Sequence, residues 1–114
     1  MVCLRWLPEA LGKANEGKHL IDLYTNTTWD GWAKNITQGA TVTWESWNAI
    51  DVNQSLSHPW GAVGLLAIQN YILGIKSLAP QNKKVQIKPL YFGDKLDFAK
   101  GKKSTESKKE IISI

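Results

Sequence analysis

Apolar residues recur at helical spacing over the first part of the chain. The intervals of three and four that mark one face of a helix separate Leu4, Leu7 and Leu11. This spacing predicts an amphipathic helix that ends near Gly12 or Gly17. Pro8 fits such a helix only in its first turn, because proline lacks an N–H and clashes with a preceding turn.

Two further helices are predicted before residue 40. The run "HLIDLYTN" has a short helical pattern of apolar residues. The run "TTWDGWAKNI" offers Thr27 or Thr28 as an N-cap, followed by Trp29, Trp32 and Ile36 at spacings of three and four.

The run "SHPWGAVGLLAIQNYILGIKSLAP" carries the clearest helical signals. Ser57 is predicted as its N-cap, Pro59 lies in the first turn, and Gly74 gives a stop. Its residues are apolar on nearly every side, which predicts a helix buried on every side. Because 114 residues can cover little of such a helix, we expect the chain to be part of a longer protein.

Alternation with period two predicts β-structure elsewhere. Residues 41–47 are predicted as extended, with Val42 and Trp44 on one side and Glu45 and Trp47 on the other. After Pro80, the runs "KKVQIKPL", "KLDFAKG" and "KKEIISI" predict a three-stranded antiparallel meander. The helices followed by strands indicate an α+β fold.

Composition excludes several classes of protein. The chain has 114 residues, 43% apolar, with a net charge of +4, a composition typical of one small globular domain. Lysines outnumber acidic residues after Lys83, but aromatic residues do not alternate with them, so a solvated surface is favoured over a nucleic-acid site. No run approaches the length of a membrane span.

The candidate ligands for a metal are too scattered to form a site. Cys3, His19 and His58 show no ligand spacing, so we expect no metal and no cofactor. Cys3 is the single cysteine, which rules out an intrachain disulfide.

Candidate chemistry centres on the stretch "TVTWESWNAIDVNQSLSHPWG". Glu45 stands between Trp44 and Trp47, and His58 follows thirteen positions later. Both polar residues could be structural, Glu45 as a surface residue and His58 as a helix cap. Alternatively, apolar surroundings suit a carboxyl group to acid–base work, and a neutral imidazole at a helix start can hydrogen-bond a hydroxyl. Indole rings, a carboxylate and an imidazole together are what a carbohydrate site requires.

The same residues carry a resemblance to a known family. "GATVTWESW", "SLSHPWGAVGLLAIQNYILGI" and "KKVQIKPL" with "LDFAKG" closely resemble the last part of the bacterial α-L-rhamnosidases, glycoside hydrolase family 78. The run "LYTNTTWDGW" fits the helix and loop that precede them. The four segments occur in family order.

The resemblance implies a fold and a division into domains. Residues 1–79 would be the last helices of an (α/α)₆ barrel, and residues 80–114 the start of an antiparallel β-sandwich, both incomplete. Family members release terminal α-L-rhamnose with inversion, so the implied partners are a rhamnose-containing glycoside and the rest of a parent enzyme, with no nucleic acid and no membrane.

The resemblance also implies roles for individual residues. Glu45 looks like the general base, and His58, Trp44 and Trp47 like substrate-binding residues. The family's general acid lies in an upstream stretch that has no counterpart here, so we expect the 114 residues alone to be inactive. The alternatives are a noncatalytic carbohydrate-binding module and a protein-interaction module that use the tryptophans alone.

Overall fold

Three short helices open the structure, a computed structural model that describes residues 5–104 and 109–113. They are α1 (Leu7–Lys13), α2 (Gly17–Thr25) and α3 (Trp32–Thr37). Pro8 lies in the first turn of α1, as its missing N–H requires. Leu4 and Cys3 lie outside the described residues, so the expected stripe of α1 is seen from Leu7 onward.

The second helical part is a composite helix, residues 59–72, with three successive geometries. A 3₁₀ turn (Pro59–Val63) leads into α4 (Gly64–Ala67), which widens into a π-helical turn (Ile68–Ile72). The predicted stop is confirmed, because Gly74 follows with a φ of +67°. The N-cap was predicted wrongly. His58, with extended backbone, occupies that position in place of Ser57 and makes no capping hydrogen bond with its side chain.

The four strands form two separate antiparallel pairs. β1 (Ile75–Ser77) pairs with β2 (Val85–Ile87), with Ile75 opposite Ile87. β3 (Lys100–Ser104) pairs with β4 (Lys109–Ser113), with Lys102 opposite Ile111. The chain is thus a small α+β unit.

The three-stranded meander was predicted wrongly. Residues 95–98 form no strand, Phe98 is exposed, and β2 pairs with β1, a strand that the sequence pattern did not indicate. The physical reason lies at Gly74, whose left-handed backbone turns the chain from the helix straight into β1. The Lys88 N–H then donates to the Gly74 carbonyl at 2.8 Å and continues the pairing of β1 with β2.

The core lies between α2, the composite helix and the segment after β2. Its buried members are Leu20, Ile21, Ala67, Tyr71, Ile72 and Phe92. Tyr71 is its central ring: it packs on Gly12 of α1, where a Cβ would overlap the ring, and it lies under the Lys76 ammonium group at 4.0 Å. Burial, with a smaller effect of the nearby Glu9 carboxylate, raises the pKa of Tyr71 to about 12. The hydroxyl makes no hydrogen bond of normal geometry, so the ring is held by packing.

The composite helix is not buried on every side, contrary to the expectation from its apolar pattern. Leu65 is 68% exposed and Leu66 is 61% exposed, while Ala67 and Tyr71 face the core. The reason is that α1, α2 and the segment after β2 cover one side of this helix only. None of the helices within residues 5–104 is long and apolar enough to cross a membrane.

Gly74 allows a matched test of the turn into β1. Its φ of +67° is unfavourable for other residues, and a Cβ would overlap the backbone of Lys88 and Pro89. Gly39 also has a positive φ, +93°, but a Cβ there would meet nothing within 4 Å. We expect Gly39→Ala to cost about 1–2 kcal/mol and Gly74→Ala about 2–5 kcal/mol in the free energy of unfolding, measured by urea titration. Equal costs would contradict the close packing at Gly74.

The exposed leucines predict that the 114-residue chain self-associates, because large apolar patches on soluble proteins mark interfaces. Sedimentation velocity should show a sedimentation coefficient that rises with protein concentration. The double variant Leu65→Glu/Leu66→Glu should reduce this rise. The control Thr37→Glu/Gln38→Glu adds the same charges at exposed polar positions and should leave it unchanged. A concentration-independent monomer for the unmodified chain would refute the prediction.

Candidate functional site

A loop closed by two pairs of hydrogen bonds brings the candidate residues together. Thr43 accepts the His58 N–H on its carbonyl at 2.7 Å, and its Oγ1 donates to the His58 carbonyl at 2.7 Å. Glu45 makes a similar pair with Ser55: its N–H donates to the Ser55 carbonyl at 3.0 Å, and its Oε2 accepts the Ser55 N–H at 3.0 Å. Both ends of the loop are therefore fixed at the residues of interest.

Glu45 and His58 face each other across this closure. His58 Nδ1 lies 3.9 Å from Glu45 Oε2, beyond hydrogen-bond distance but close enough for a charged pair if the imidazole is protonated. Their side chains are 28% and 23% exposed, so both are partly sheltered and still open to a ligand. Glu45 Oε1 has no hydrogen-bond partner within the part of the chain that the structure describes.

An exposed aromatic ring adjoins the histidine. The centroids of the His58 and Trp60 rings are 4.4 Å apart, and the ring planes cross at 73°. Trp60 is 49% exposed, and it lies in the 3₁₀ turn that His58 precedes. Trp60 was not among the site residues predicted from the sequence.

Trp32 packs against the loop and against the start of the composite helix. Its ring stacks on Tyr24 with centroids 4.7 Å apart and makes a T-shaped contact with Trp47 at 5.1 Å. Its Nε1–H donates to the Gly61 carbonyl at 2.9 Å. The Tyr24 hydroxyl donates to the Gly64 carbonyl at 2.6 Å, and burial raises the pKa of Tyr24 above its ordinary value. These contacts join α2 and α3 to the start of the composite helix, on which His58 depends.

A groove of about 370 Å³ lies beside the loop. Its lining consists of Trp32, Asn35, Ile36, Ala40, Thr41, Val42, Thr43 and Trp44. Asn35 is buried, and its Nδ2 donates to the Trp47 carbonyl at 2.8 Å, so the amide fixes the loop as well as the groove wall. Apart from the amide and the threonines, the lining is apolar.

The predicted strand at residues 41–47 does not form. Its alternation is also wrong, since Trp44 is 4% exposed while Val42, expected on the same side, is 53% exposed. The segment instead makes hydrogen bonds to His58 from Thr43 and to Ser55 from Glu45. These partners are three positions apart, whereas Thr43 and Glu45 are two apart, so the two closures do not share the register of a regular ladder. Bends and turns replace the strand.

The four site residues predicted from the sequence differ in their position and burial in the structure. The structure brings Glu45 and His58 together at one end of the loop. Trp44 is buried, with what little surface it has at the edge of the groove, and Trp47 is half-buried against Trp32. His58 was expected in the first turn of a helix, but it precedes that turn. The ring beside the pair is Trp60.

The residues that hold or adjoin the Glu45–His58 pair were not predicted from the sequence. Thr43 and Ser55 act through backbone and hydroxyl groups, for which the sequence offers no signal beyond the closeness of Thr43 to Glu45. Trp60 had a signal, because it follows His58 by two positions in a turn opened by proline.

No group of three or more His, Cys, Asp or Glu residues in the described ranges could hold a metal ion.

Comparison with known proteins settles the family. The model of the bacterial α-L-rhamnosidase six-hairpin glycosidase domain matches residues 1–109. The chain belongs to this family. An α-L-rhamnosidase from Alteromonas sp. (strain LOR) is 32% identical over a stretch that covers 89% of this chain and 12% of the relative. The chain therefore spans a small part of the length of that rhamnosidase. No solved structure gives a significant match.

Thr43 provides a test of the loop closure in this rhamnosidase-family chain. Thr43→Val keeps the shape of the side chain but removes its hydrogen bond to the His58 carbonyl, so we expect a loss of about 1 kcal/mol in the free energy of unfolding. Thr41→Val is the matched control. Thr41 is exposed and should change stability by less than about 0.5 kcal/mol. A urea titration in which both variants unfold alike would show that the hydroxyl does not hold the loop.

Proposed function

We propose that the chain is the C-terminal part of an inverting glycoside hydrolase that releases terminal α-L-rhamnose. The observation that carries the proposal is the Glu45–His58 pair: two residues thirteen positions apart are held 3.9 Å from each other in a chain of the rhamnosidase family. The substrate would be a rhamnose-containing glycoside or oligosaccharide.

Glu45 is proposed as the general base. Its Oε2 is occupied by the Ser55 N–H and lies toward His58, which leaves Oε1 to accept a proton from water. The Ser55 hydrogen bond fixes the direction in which Oε1 points. An inverting enzyme needs such a base about 6.5–9.5 Å from its general acid, with the water between the base and the sugar.

His58 is proposed to bind sugar hydroxyl groups. Its Nδ1 is the nitrogen nearest Glu45, so Nε2 is the nitrogen left for a substrate hydroxyl. The two hydrogen bonds with Thr43 fix the backbone of His58, which limits the movement of its ring relative to the carboxylate. Trp47 is proposed to contribute through its exposed part, and Trp44 by forming the wall behind the site.

The proposal includes the architecture of a parent enzyme. Residues 1–79 would complete an (α/α)₆ barrel, and residues 80–114 would begin a β-sandwich. The exposed Leu65 and Leu66 would then face neighbouring barrel helices. The general acid would come from another part of the parent, so the 114 residues alone would not turn over rhamnosides.

The base role is tested by Glu45→Gln in the parent enzyme. Because a base acts when water is deprotonated, kcat for an aryl α-L-rhamnoside should fall by about 10²–10⁴-fold with little change in KM. Azide, which needs no deprotonation, should partly restore turnover and yield the rhamnosyl azide of inverted configuration. His58→Ala should instead raise KM and lower kcat/KM, since a hydroxyl-binding group acts in both states.

The comparison needs a carboxylate control outside the site. Glu16→Gln is suitable, because Glu16 is exposed and contacts His19 at the start of α2. This variant should keep the kinetic constants of the unmodified enzyme. If Glu45→Gln keeps near-normal kcat, or if azide gives product of retained configuration, Glu45 is not the base of an inverting reaction.

A further inference from the structure

A sugar site of the proposed kind requires an exposed aromatic face. The two tryptophans predicted to provide it, Trp44 and Trp47, are buried or half-buried. Trp44 is 4% exposed. Trp47 is half-buried and makes a T-shaped contact with Trp32, whose own ring is stacked on Tyr24. Trp44 thus has almost no surface left for a ligand, and Trp32 and Trp47 use part of theirs in contacts with other rings.

Trp60 differs from them in exposure and in position. It is 49% exposed, and its ring centroid lies 4.4 Å from that of His58, the residue that faces Glu45. The indole and imidazole planes cross at 73° and so form two walls of a corner. A ligand in this corner could contact an apolar face on one wall and a hydrogen-bonding nitrogen on the other.

The backbone on both sides of Trp60 is fixed to Thr43. His58 exchanges two hydrogen bonds with Thr43, and Gly61 packs so closely that a Cβ there would lie 2.6 Å from the Thr43 Cβ. Gly61 also accepts the Trp32 Nε1–H on its carbonyl at 2.9 Å. The Trp60 ring is therefore exposed while its main chain is anchored, a combination that lowers the entropy cost of binding a ligand.

We propose that Trp60 is the aromatic platform on which the rhamnosyl ring of the substrate stacks. This inference rests on the proposed function. Rhamnose is a 6-deoxy sugar, so a methyl group replaces a hydroxymethyl group and enlarges the apolar surface that an indole face can cover. With C–H groups on Trp60, the ring hydroxyls are left for His58, and the anomeric carbon is turned toward the water activated by Glu45.

The test measures the inhibition constant of free L-rhamnose and the KM of an aryl α-L-rhamnoside in the parent enzyme. Trp60→Ala should raise both by roughly tenfold, equivalent to about 1.4 kcal/mol of lost binding energy. Trp60→Leu keeps apolar volume without an aromatic face and should behave like the alanine variant. Trp60→Phe keeps a smaller ring and should raise both constants by less than the other two variants do.

Trp29→Ala is the matched control for the loss of an exposed indole. Trp29 is 74% exposed and lies before α3, in a different groove from the site, so both constants should stay unchanged. Circular dichroism and thermal melting of each variant identify any that fail to fold. Because Trp60→Leu and Trp60→Phe have similar bulk, the difference between them reports the aromatic face and not the filling of space.

Glu45→Gln, measured in parallel, separates the failure of this inference from failure of the proposed function. If Glu45→Gln loses turnover while Trp60→Ala and Trp60→Leu keep the rhamnose constants of the unmodified enzyme, the base role stands and Trp60 is not the platform. If Glu45→Gln keeps turnover, the proposed function itself is wrong. Equal effects of Trp60→Leu and Trp60→Phe would also overturn the platform.

Discussion

The paired hydrogen bonds between Thr43 and His58 are the constraint on which the site depends. They join the irregular segment after α3 to the start of the composite helix, two parts of the chain separated by a long loop. They are the direct hydrogen-bonded link between the backbone of His58 and the segment that carries Glu45. Buried or half-buried backbone groups must find partners, and here those partners place the two candidate functional groups side by side.

The aromatic cluster around Trp32 makes this constraint stable. The Trp32 ring contacts one side chain from α2 and one from the loop, and its N–H is bonded to the carbonyl of Gly61. A Cβ at Gly64 would come within 2.6 Å of the same ring, so the composite helix approaches as closely as it can. Tyr24, Trp32 and Trp47 thus form the support, and Trp60 stays exposed beside the histidine.

The apolar surface of the composite helix and the chemistry of the loop have a common explanation in the proposed parent enzyme. Leu65 and Leu66 expose apolar surface to water, which is unfavourable. In a helical barrel, the same side chains would be buried against neighbouring helices. The core around Tyr71 is formed within the chain, whereas this second face is exposed and would be covered by the other helices of the proposed barrel. His58 and Trp60 lie at the beginning of the same helix, and Glu45 in the preceding loop is 3.9 Å from His58, so packing of the apolar face would also position the proposed site.

The sequence by itself determined the helices, the stop at Gly74, the α+β class and the family, because local periodicity, proline and glycine positions, and ordered motifs are properties of neighbouring residues. It also selected Glu45 and His58. Tertiary structure decided the pairing of β1 with β2, the absence of a strand at residues 41–47, and the burial of Trp44 with the exposure of Trp60. These depend on which distant backbone groups satisfy one another. Thr43 is hydrogen-bonded to His58, and Glu45 to Ser55, over separations of ten or more residues. The alternation of apolar and polar side chains along the sequence does not indicate such distant partners.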